Sequence, residues 1–378
     1  MRRLKCADQK DLSAGLVENT EQQIESALAG YVDPYTGSDL ASSGAIENIT
    51  FTDGTAELLI KLGYAAGRHH DALVAALKAP LLELDAVDNV RIEIRTEITP
   101  HAVQGQLKPM PGVSNVIAVA SGKGGVGKST TAVNIALAFA ADGARAGILD
   151  ADIYGPSQPR MLGKRGERPE SRDGKSLEPV SAHGIASMSI GYLIDEDQPM
   201  VWRGPMVTQA LSQLINDTNW GELDYLVVDM PPGTGDTQLT LSQRVPVSGA
   251  VIVTTPQDIA LLDARKGLRM FEKVDVNVLG VVENMSTHIC SQCGHEEPVF
   301  GTGGGERMAQ EYEVPFLGGL PLDIRIREQA DSGNPTVVAE PDSELAQAYF
   351  DVARRIGARL ALQARDYSRL FPKIVVEE

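Results

Sequence analysis

The pattern of apolar and polar positions divides the chain near residue 113. Beyond that point, short apolar runs alternate with stretches of helical periodicity, which is typical of α/β domains. Runs that are apolar throughout indicate strands of a parallel sheet with helices on both faces. The predicted strands are 116–120, 146–149, 226–228, 250–253, 278–282 and 315–318. We therefore predict an α/β fold with a mostly parallel, doubly wound sheet over 113–378, ending in a helix over 343–365 with Ser343 as its N-cap.

The preceding residues predict a separate, small α+β module over 20–100. Apolar and polar positions alternate here, as in half-buried strands, and turn signals separate the segments. We expect Asp71 to cap a helix and Pro80 to end it, since proline cannot continue the backbone ladder. The predicted elements are a helix from Thr20, strands 46–49 and 56–60 around a turn at Asp53-Gly54, a helix over 71–78 and a strand over 90–95. Residues 1–19 give no usable pattern, and the proline-containing segment 101–112 predicts a linker.

A glycine-rich segment directly follows the first strand of the α/β domain. Strand, glycine-rich turn and helix form the context of a phosphate-binding loop, and Gly122, Gly127, Lys128 and Ser129 match its spacing. We expect this P-loop to bind ATP through its backbone N–H groups and the helix N-terminus. Lys128 should reach the β- and γ-phosphates, and Ser129 should ligate Mg²⁺. The residues predicted to bind the nucleotide here are Gly122, Lys123, Gly124, Gly125, Val126, Gly127, Lys128, Ser129 and Thr130.

Acidic residues follow two other predicted strands. A Walker B pattern ends at Asp229, whose carboxylate is expected to face Mg²⁺. Met230 follows, so the glutamate that often serves as the base in P-loop ATPases is missing, and the attacking water must be positioned from elsewhere. Asp150 and Asp152 lie at the carboxyl end of the second strand, where acids face the ligand crevice of an open sheet. Asp152 also fits a helix N-cap, where aspartate is favoured. The glycine-containing segment 231–236 predicts a switch loop.

A pair of cysteines, Cys290 and Cys293, follows the strand 278–282, with a histidine on either side. Two thiolates at this spacing can hold one metal centre. The residues alone leave three interpretations open. These are a zinc site that also uses His288 and His295, a redox dithiol, and half of a [4Fe–4S] site whose other thiolates come from a second copy of the chain.

Composition narrows the possible functions. The 378 residues include 34 Lys and Arg against 51 Asp and Glu, and the net charge of −17 argues against nonspecific nucleic-acid binding and anionic membrane surfaces. No apolar run approaches the ~20 residues of a membrane span, and the basic N-terminus lacks the apolar core of a secretory signal. Three cysteines do not form a disulfide framework. We expect a cytoplasmic protein with reduced thiols that binds neither nucleic acid nor membranes.

The second lysine of the P-loop carries a resemblance to a known class. The loop, Gly-Lys-Gly-Gly-Val-Gly-Lys-Ser-Thr, resembles the deviant P-loop of ATPases that include partition, division-site and nitrogenase-reductase-like proteins. The resemblance implies a face-to-face homodimer in which Lys123 reaches the phosphates bound by the partner subunit. It assigns water positioning to Asp152, with Asp150 as the alternative. The predicted catalytic residues are therefore Lys123, Lys128 and Asp152.

These motifs, with Val-Trp-Arg-Gly-Pro-Met over 201–206, Glu-Asn-Met-Ser over 283–286 and the cysteine pair, together resemble the Mrp/ApbC family. The family implies a homodimer that hydrolyses ATP slowly, holds a [4Fe–4S] cluster through Cys290 and Cys293, and transfers it to apo iron–sulfur proteins, with cluster scaffold proteins as further partners. The segment 33–40 resembles a small domain of iron–sulfur assembly proteins. The alternative is a positioning ATPase of the MinD/ParA type with a structural zinc or redox cysteine pair.

Two details of this resemblance concern single residues. Asn284 matches the residue that reads adenine in the deviant P-loop class, and its amide can both donate and accept. Pro321 and Asp323 match the other segment on the adenine side. Trp202 and Arg203 belong to a matching block for which no role can be derived.

Overall fold

The computed structural model describes residues 20–105, 107–194, 204–290 and 292–363, without the side chains of 204, 205, 236 and 237. The chain divides into two compact units, residues 1–98 and 99–378. No helix in these described ranges is both long and apolar enough to cross a membrane.

The described part of the first unit is a three-stranded sheet with two α-helices. Its elements are α1 (20–28), β1 (Ile46–Thr52), β2 (Thr55–Leu62), α2 (His70–Leu81) and β3 (Asn89–Thr96). Strands β1 and β2 form an antiparallel hairpin, and β3 pairs in parallel with β2. The hairpin turn has φ of +47° at Asp53 and +75° at Gly54. Asp and Gly tolerate this left-handed backbone, and the predicted turn is confirmed.

Helix α2 differs from the sequence-based prediction at both ends. Asp71 is not its cap but lies in its first turn, where a carboxylate still favours the helix N-terminus. Pro80 does not end the helix but lies inside it, one residue before the last. A proline so near the C-terminal end removes one backbone hydrogen bond, and the last turn still closes because the Leu82 N–H bonds to the Lys78 carbonyl. The helix buries Leu73, Leu77 and Leu81.

The turn-rich segment 33–40 is organised by one buried carboxylate. Asp33 accepts hydrogen bonds from the Tyr35 N–H (2.9 Å), the Thr36 hydroxyl (3.1 Å) and the Tyr64 hydroxyl (2.8 Å). Burial, with Asp33 adding to it, raises the pKa of Tyr64. Within the described part of this unit, the buried Asp33 carboxylate is therefore satisfied by hydrogen bonds from the turn and from β2's neighbour Tyr64.

The described residues of the second unit form an eight-stranded sheet flanked by helices. Its strands are β4 (Val113–Ala120), β5 (Ala146–Asp150), β6 (Val180–Ala182), β7 (Ile185–Ser189), β8 (Leu223–Asp229), β9 (Gly249–Thr254), β10 (Val278–Glu283) and β13 (Phe316–Gly319), with a separate hairpin of β11 (His288–Ile289) and β12 (Glu296–Glu297). The helices are α3 (Lys128–Ala141), α4 (Gln158–Met161), α5 (Gly204–Asn216), α6 (Asp236–Arg244), α7 (Asp258–Lys273), α8 (Gly304–Glu311), α9 (Ile324–Asp331), α10 (Thr336–Ala339) and α11 (Glu344–Ala361).

The strand order of this sheet is β13-β10-β9-β4-β8-β5-β7-β6, and within its described strands only β6 runs antiparallel to its neighbour. Strands β4, β9 and β10 bury nearly every side chain, as a sheet covered on both faces requires. Helix α3 packs on it through Phe139, whose ring stacks on Tyr225 of β8 at 4.2 Å. The predicted mostly parallel, doubly wound α/β sheet is confirmed, and the carboxyl ends of β4, β5 and β8 meet at one edge.

Strands β6 and β7 were not predicted because serines interrupt their apolar pattern. Ser187 and Ser189 are nevertheless fully buried. The Ser187 hydroxyl lies 3.0 Å from that of Tyr192, and the Ser189 hydroxyl donates to Asp150 at 3.0 Å. Each serine is therefore buried with a hydrogen-bond partner, which removes most of the cost of burying it.

Two other predicted segments belong to this unit. Ser343 caps α11 as predicted, accepting from the Ala346 N–H at 3.2 Å, but the helix ends at Ala361 rather than near 365. The segment 101–112, which we predicted as a linker, is held through the buried side chain of Gln104. Its amide donates to the carbonyls of Ser242 and Val245 and accepts from the Val247 N–H, as the distances of 2.7, 2.6 and 2.7 Å show.

Candidate nucleotide site and cysteine hairpin

The P-loop connects β4 to α3 and lines a pocket of about 290 Å³ at the carboxyl edge of the sheet. Gly125 and Gly127 both have φ of +81°, a backbone that side chains other than glycine rarely adopt. A Cβ at Gly127 would also overlap the Asn284 amide, and one at Gly122 would overlap the backbone of Asp263 in α7. The loop therefore needs glycine at these positions. The predicted nucleotide-binding residues that line the pocket are Lys123, Gly124, Gly125, Gly127, Lys128, Ser129 and Thr130.

The two lysines of the loop differ in their surroundings. Lys128 is buried, forms an ion pair with Asp229, and has its ammonium 3.1 Å from the Ser129 hydroxyl. The lysine, the hydroxyl and the Walker B carboxylate are thus brought together as predicted from the motifs. Lys123 lies at the pocket, is only half-buried, and forms no ion pair within the described ranges.

The two acids after β5 have different roles. Asp152 lines the pocket, and burial raises its pKa although Lys128 opposes the shift. It is not a helix N-cap, because α4 begins only at Gln158, after Ser157. Asp150 is fully buried and accepts from the N–H groups of Asp152, Ser157 and Gln158 and from a hydroxyl. Of the two acids, Asp152 is the one placed to act on a molecule in the pocket.

Asp150 carries an electrostatic cost despite its four donors. Burial, followed by the nearby carboxylate of Asp229, raises the pKa of Asp150 to about 7. The backbone N–H of Gln158, the Lys128 charge and the Ser189 hydroxyl act in the opposite direction but do not outweigh burial. The single charge of Lys128 therefore stabilises the ionised forms of two buried acids, Asp150 and Asp229, at this edge of the sheet.

The predicted switch loop 231–236 lies beside the P-loop. Pro232 lines the pocket, and the Gly233 N–H donates to the Ser121 carbonyl at 3.0 Å. The Ser121 hydroxyl in turn donates to the Lys123 carbonyl at 2.9 Å. The loop that follows Walker B is therefore connected by hydrogen bonds to the loop that is expected to hold the phosphates.

The residues predicted to recognise adenine are separated into two groups. Asn284 is buried, donates to the Val126 carbonyl of the P-loop at 2.8 Å, and accepts from the Met285 N–H at 2.9 Å. Its amide keeps one N–H for another partner. Pro321 and Asp323 line a second pocket of about 680 Å³ together with His288 and Ile289 of β11. Their role in adenine recognition stays a prediction.

Asp323 has a structural role in this second pocket. It caps α9 by accepting from the Arg325 N–H at 2.8 Å, and its carboxylate pairs with the Arg325 guanidinium, also at 2.8 Å. The bond from Arg325 holds the pKa of Asp323 below its usual value.

The cysteine pair lies on the hairpin of β11 and β12. The Cys290 N–H donates to the His295 carbonyl and the Gly294 N–H to the Cys290 carbonyl, both at 2.9 Å. Both thiols are free; Cys293 is exposed and Cys290 half-buried. Backbone N–H groups, first that of Gln292 and then that of Cys293, lower the pKa of Cys290. The Cys290 thiolate, the form that binds metals, therefore forms more readily in the hairpin than in a free cysteine.

The described residues contain no group of three or more His, Cys, Asp and Glu side chains that could hold a metal ion. The predicted zinc interpretation needs both histidines, and no group with both of them and the cysteines is formed within the described residues. His288 has its Nδ1 3.0 Å from the Leu322 carbonyl, which leaves Nε2 as the ring atom that can bind a metal. Within the ranges described, one chain thus offers two thiols and lacks the further ligands of a tetrahedral site. Exposed apolar side chains flank the pair on the hairpin: Ile289, Val299 and Phe300.

Comparison with known proteins finds a matching family for each of the two units. A family model described as "NUBPL iron-transfer P-loop NTPase" matches residues 112–357, and one described as "Iron-sulfur cluster assembly protein" matches residues 21–94. The chain is 49% identical over 351 residues to an iron–sulfur cluster carrier protein of Haemophilus influenzae, covering 93% of this chain and 95% of that protein. The chain belongs to the iron–sulfur cluster carrier family of P-loop NTPases. The predicted family and fold class are confirmed.

Two further relatives of this carrier extend the comparison. It is 53% identical over 268 residues to the iron–sulfur cluster transfer protein NUBPL of Mus musculus, covering 70% of this chain and 83% of that protein. A solved structure, a nucleotide-binding protein of Archaeoglobus fulgidus in complex with ADP, is similar with a TM-score of 0.54 and 36% identity, covering 62% of this chain and 91% of that chain. These similarities favour a cluster carrier over a positioning ATPase.

Sequence reasoning missed one residue of the carrier's nucleotide site. Gln158, the first residue of α4, is fully buried and donates to Asp229 at 2.8 Å. The available signal was its place a few residues after Asp152, in the same stretch of polar and small residues. Trp202 and Arg203, to which no role was assigned, lie outside the described residues.

Proposed function

We propose that the protein is an ATPase that binds a [4Fe–4S] cluster between two copies of its chain and transfers it to apo iron–sulfur proteins. The observation that carries the proposal is the exposed hairpin with two free thiols, in a chain of the cluster-carrier family. A [4Fe–4S] cluster takes four thiolates, and a two-fold dimer supplies them from two identical pairs. The exposed Ile289, Val299 and Phe300 would be covered by the second copy.

The nucleotide pocket supports the ATPase part of the proposal. Ser129 and Asp229 are oxygen donors of the kind that Mg²⁺ prefers, and they would hold it next to the phosphates. Two buried oxygens, Ser157 Oγ and Gln158 Oε1, have no hydrogen-bond partner among the described residues, which fits a hydrated ion nearby. When bound, Mg²⁺ neutralises charge on the phosphates.

The remaining chemistry belongs to side chains of this protein. Lys128 leaves Asp229 and binds the β- and γ-phosphates, because phosphate is the stronger counter-charge. Asp152 holds the attacking water, since no acid follows Asp229 and Asp152 lines the pocket. Lys123, free of ion pairs in the described part of the chain, reaches the phosphates of the second copy. Hydrolysis then changes the segments after Asp150 and Asp229, and with them the interface that holds the cluster.

The proposal is tested by purification without air and reconstitution with iron and sulfide. We expect a dimer with about four iron atoms per two chains and a visible absorption band in the wild type. The variants Cys290→Ala and Cys293→Ala should lose both, whereas Cys6→Ala, the change of the remaining cysteine, should keep them. A full cluster in the Cys290→Ala and Cys293→Ala variants would refute the assignment. A protein that takes up zinc but never iron would support the zinc alternative instead.

A further inference from the structure

The side chain of Gln158 joins three parts of the nucleotide site. It is fully buried, and its Nε2 donates to Asp229 Oδ2 at 2.8 Å and to the Ser129 carbonyl at 3.2 Å. Its backbone N–H donates to Asp150 Oδ2 at 3.1 Å. One residue thus connects the P-loop helix, the Walker B carboxylate and the segment that carries Asp152.

Chemistry fixes the orientation of this amide. A carboxylate and a carbonyl only accept hydrogen bonds, so the NH₂ group of Gln158 must face Asp229 and Ser129. The Oε1 atom then points the other way, and it is buried without a hydrogen-bond partner in the described ranges. The hydroxyl of the neighbouring Ser157, which lines the pocket, is in the same condition. A buried oxygen normally has a hydrogen-bond partner, and at Ser157 the pocket leaves room for a water or a ligand to supply it.

The two oxygens of Asp229 have separate partners. Oδ1 pairs with Lys128, and Oδ2 accepts from Gln158. If Lys128 turns to a phosphate, Oδ1 is released while Oδ2 stays held, so the carboxylate keeps its direction. Groups that orient a metal-binding carboxylate in this way typically contribute about tenfold to a hundredfold to metal affinity.

We propose that Gln158 is a positioning residue that holds Asp229 for a divalent cation at Ser129. The inference rests on the proposed nucleotide function of the pocket. The backbone N–H of Gln158 also donates to Asp150, the residue at the start of the segment that carries Asp152. A cation held by Asp229 is therefore connected to that segment through Gln158.

The test compares the wild type with Gln158→Met, which keeps the length of the side chain but cannot donate. Binding of a fluorescent ADP analogue is titrated with Mg²⁺ and, separately, in EDTA. We expect the Mg²⁺ concentration for half-maximal binding to rise about tenfold or more, while the affinity in EDTA changes less than about twofold. The EPR spectrum of bound Mn²⁺ should broaden or shift, which a purely structural role would not cause.

The matched control is Gln104→Met, another buried glutamine of the same unit whose hydrogen bonds lie on the segment 101–112. It should lower the thermal midpoint without changing the Mg²⁺ requirement. If Gln158→Met does not fold, Gln158→Asn keeps a polar group but is one methylene too short, and it should show the same Mg²⁺ shift. An unchanged Mg²⁺ requirement in a folded Gln158 variant would overturn the inference alone. A wild type without Mg²⁺-dependent nucleotide binding would overturn the proposed function as well.

Discussion

Replacing Lys128 by methionine should destabilise the nucleotide-free protein as well as impair its activity. The side chain is 6% exposed and pairs with Asp229, which is 0% exposed. Methionine keeps the length of the side chain but removes the charge. Asp229 and its neighbour Asp150 would then be two buried acids without the cation that serves them.

The size of the effect follows from the burial of this pair. Removing one partner of a buried ion pair typically costs about 3–5 kcal/mol, because the other charge is left without compensation. Gln158 still donates to Asp229, so we expect about 3 kcal/mol at neutral pH. Lys123→Met, in the same loop but half-buried and without an ion pair in the described ranges, should cost less than about 0.5 kcal/mol.

The loss of unfolding free energy in the Lys128→Met variant, called the deficit below, should also depend on pH. The pKa of Asp150 is raised to about 7 from a usual value of 3.8, so the folded chain takes up a proton there more readily than the unfolded chain. Its contribution to stability is present below the unfolded pKa and is lost as the pH rises towards 7. Lys128 lowers this pKa, so its removal raises the pKa of Asp150 further. The Lys128→Met deficit should therefore be smaller near about pH 6 than near about pH 8.

Urea unfolding in EDTA, followed by tryptophan fluorescence, measures the free energy of unfolding of each variant at each pH. Both tryptophans, Trp202 and Trp220, belong to residues 99–378, so the signal reports on the second unit. Equal free energies of unfolding for Lys128→Met and Lys123→Met, or a deficit independent of pH, would refute the reasoning.

Three further predictions concern the two sites. Gly127→Ala should abolish nucleotide binding measured by calorimetry, since alanine strains the +81° backbone and overlaps Asn284; an affinity equal to that of the wild type would contradict this. Asp152→Asn should slow single-turnover ATP hydrolysis about a hundredfold or more with nucleotide affinity unchanged, and an unaltered rate would remove Asp152 from catalysis. Alkylation of Cys290 in the cluster-free protein, followed by peptide mass spectrometry, should persist to lower pH than for a free cysteine, because its pKa is lowered; identical pH profiles would contradict this.

The parallel strands of the second unit could be predicted because their burial on both faces requires uninterrupted apolar runs. The same rule missed β7, where Ser187 and Ser189 are buried with hydrogen-bond partners that only the fold supplies. The prediction that Pro80 ends α2 was wrong because the effect of a proline depends on how close it lies to the end of the helix.

The site shows a similar division. Lys128, Ser129 and Asp229 could be predicted to meet because a local motif and a strand end determine their positions. Gln158 could not, because its contacts depend on how the chain after Asp150 returns to the sheet edge. For Asn284, the motif gave no indication that its amide would be bonded to the P-loop backbone.

This bond between Asn284 and Val126 gives the cysteines a short tether to the phosphate-binding loop. Six positions separate Asn284 from Cys290, and a fully extended chain of that length spans at most about 20 Å. Between these two residues the chain is also held to the segment after β13, where the Ser286 N–H donates to the Leu320 carbonyl at 3.0 Å and the Leu322 N–H donates to the Thr287 carbonyl at 2.7 Å. The phosphate-binding loop and the cysteine hairpin are therefore attached to one short, hydrogen-bonded stretch of chain.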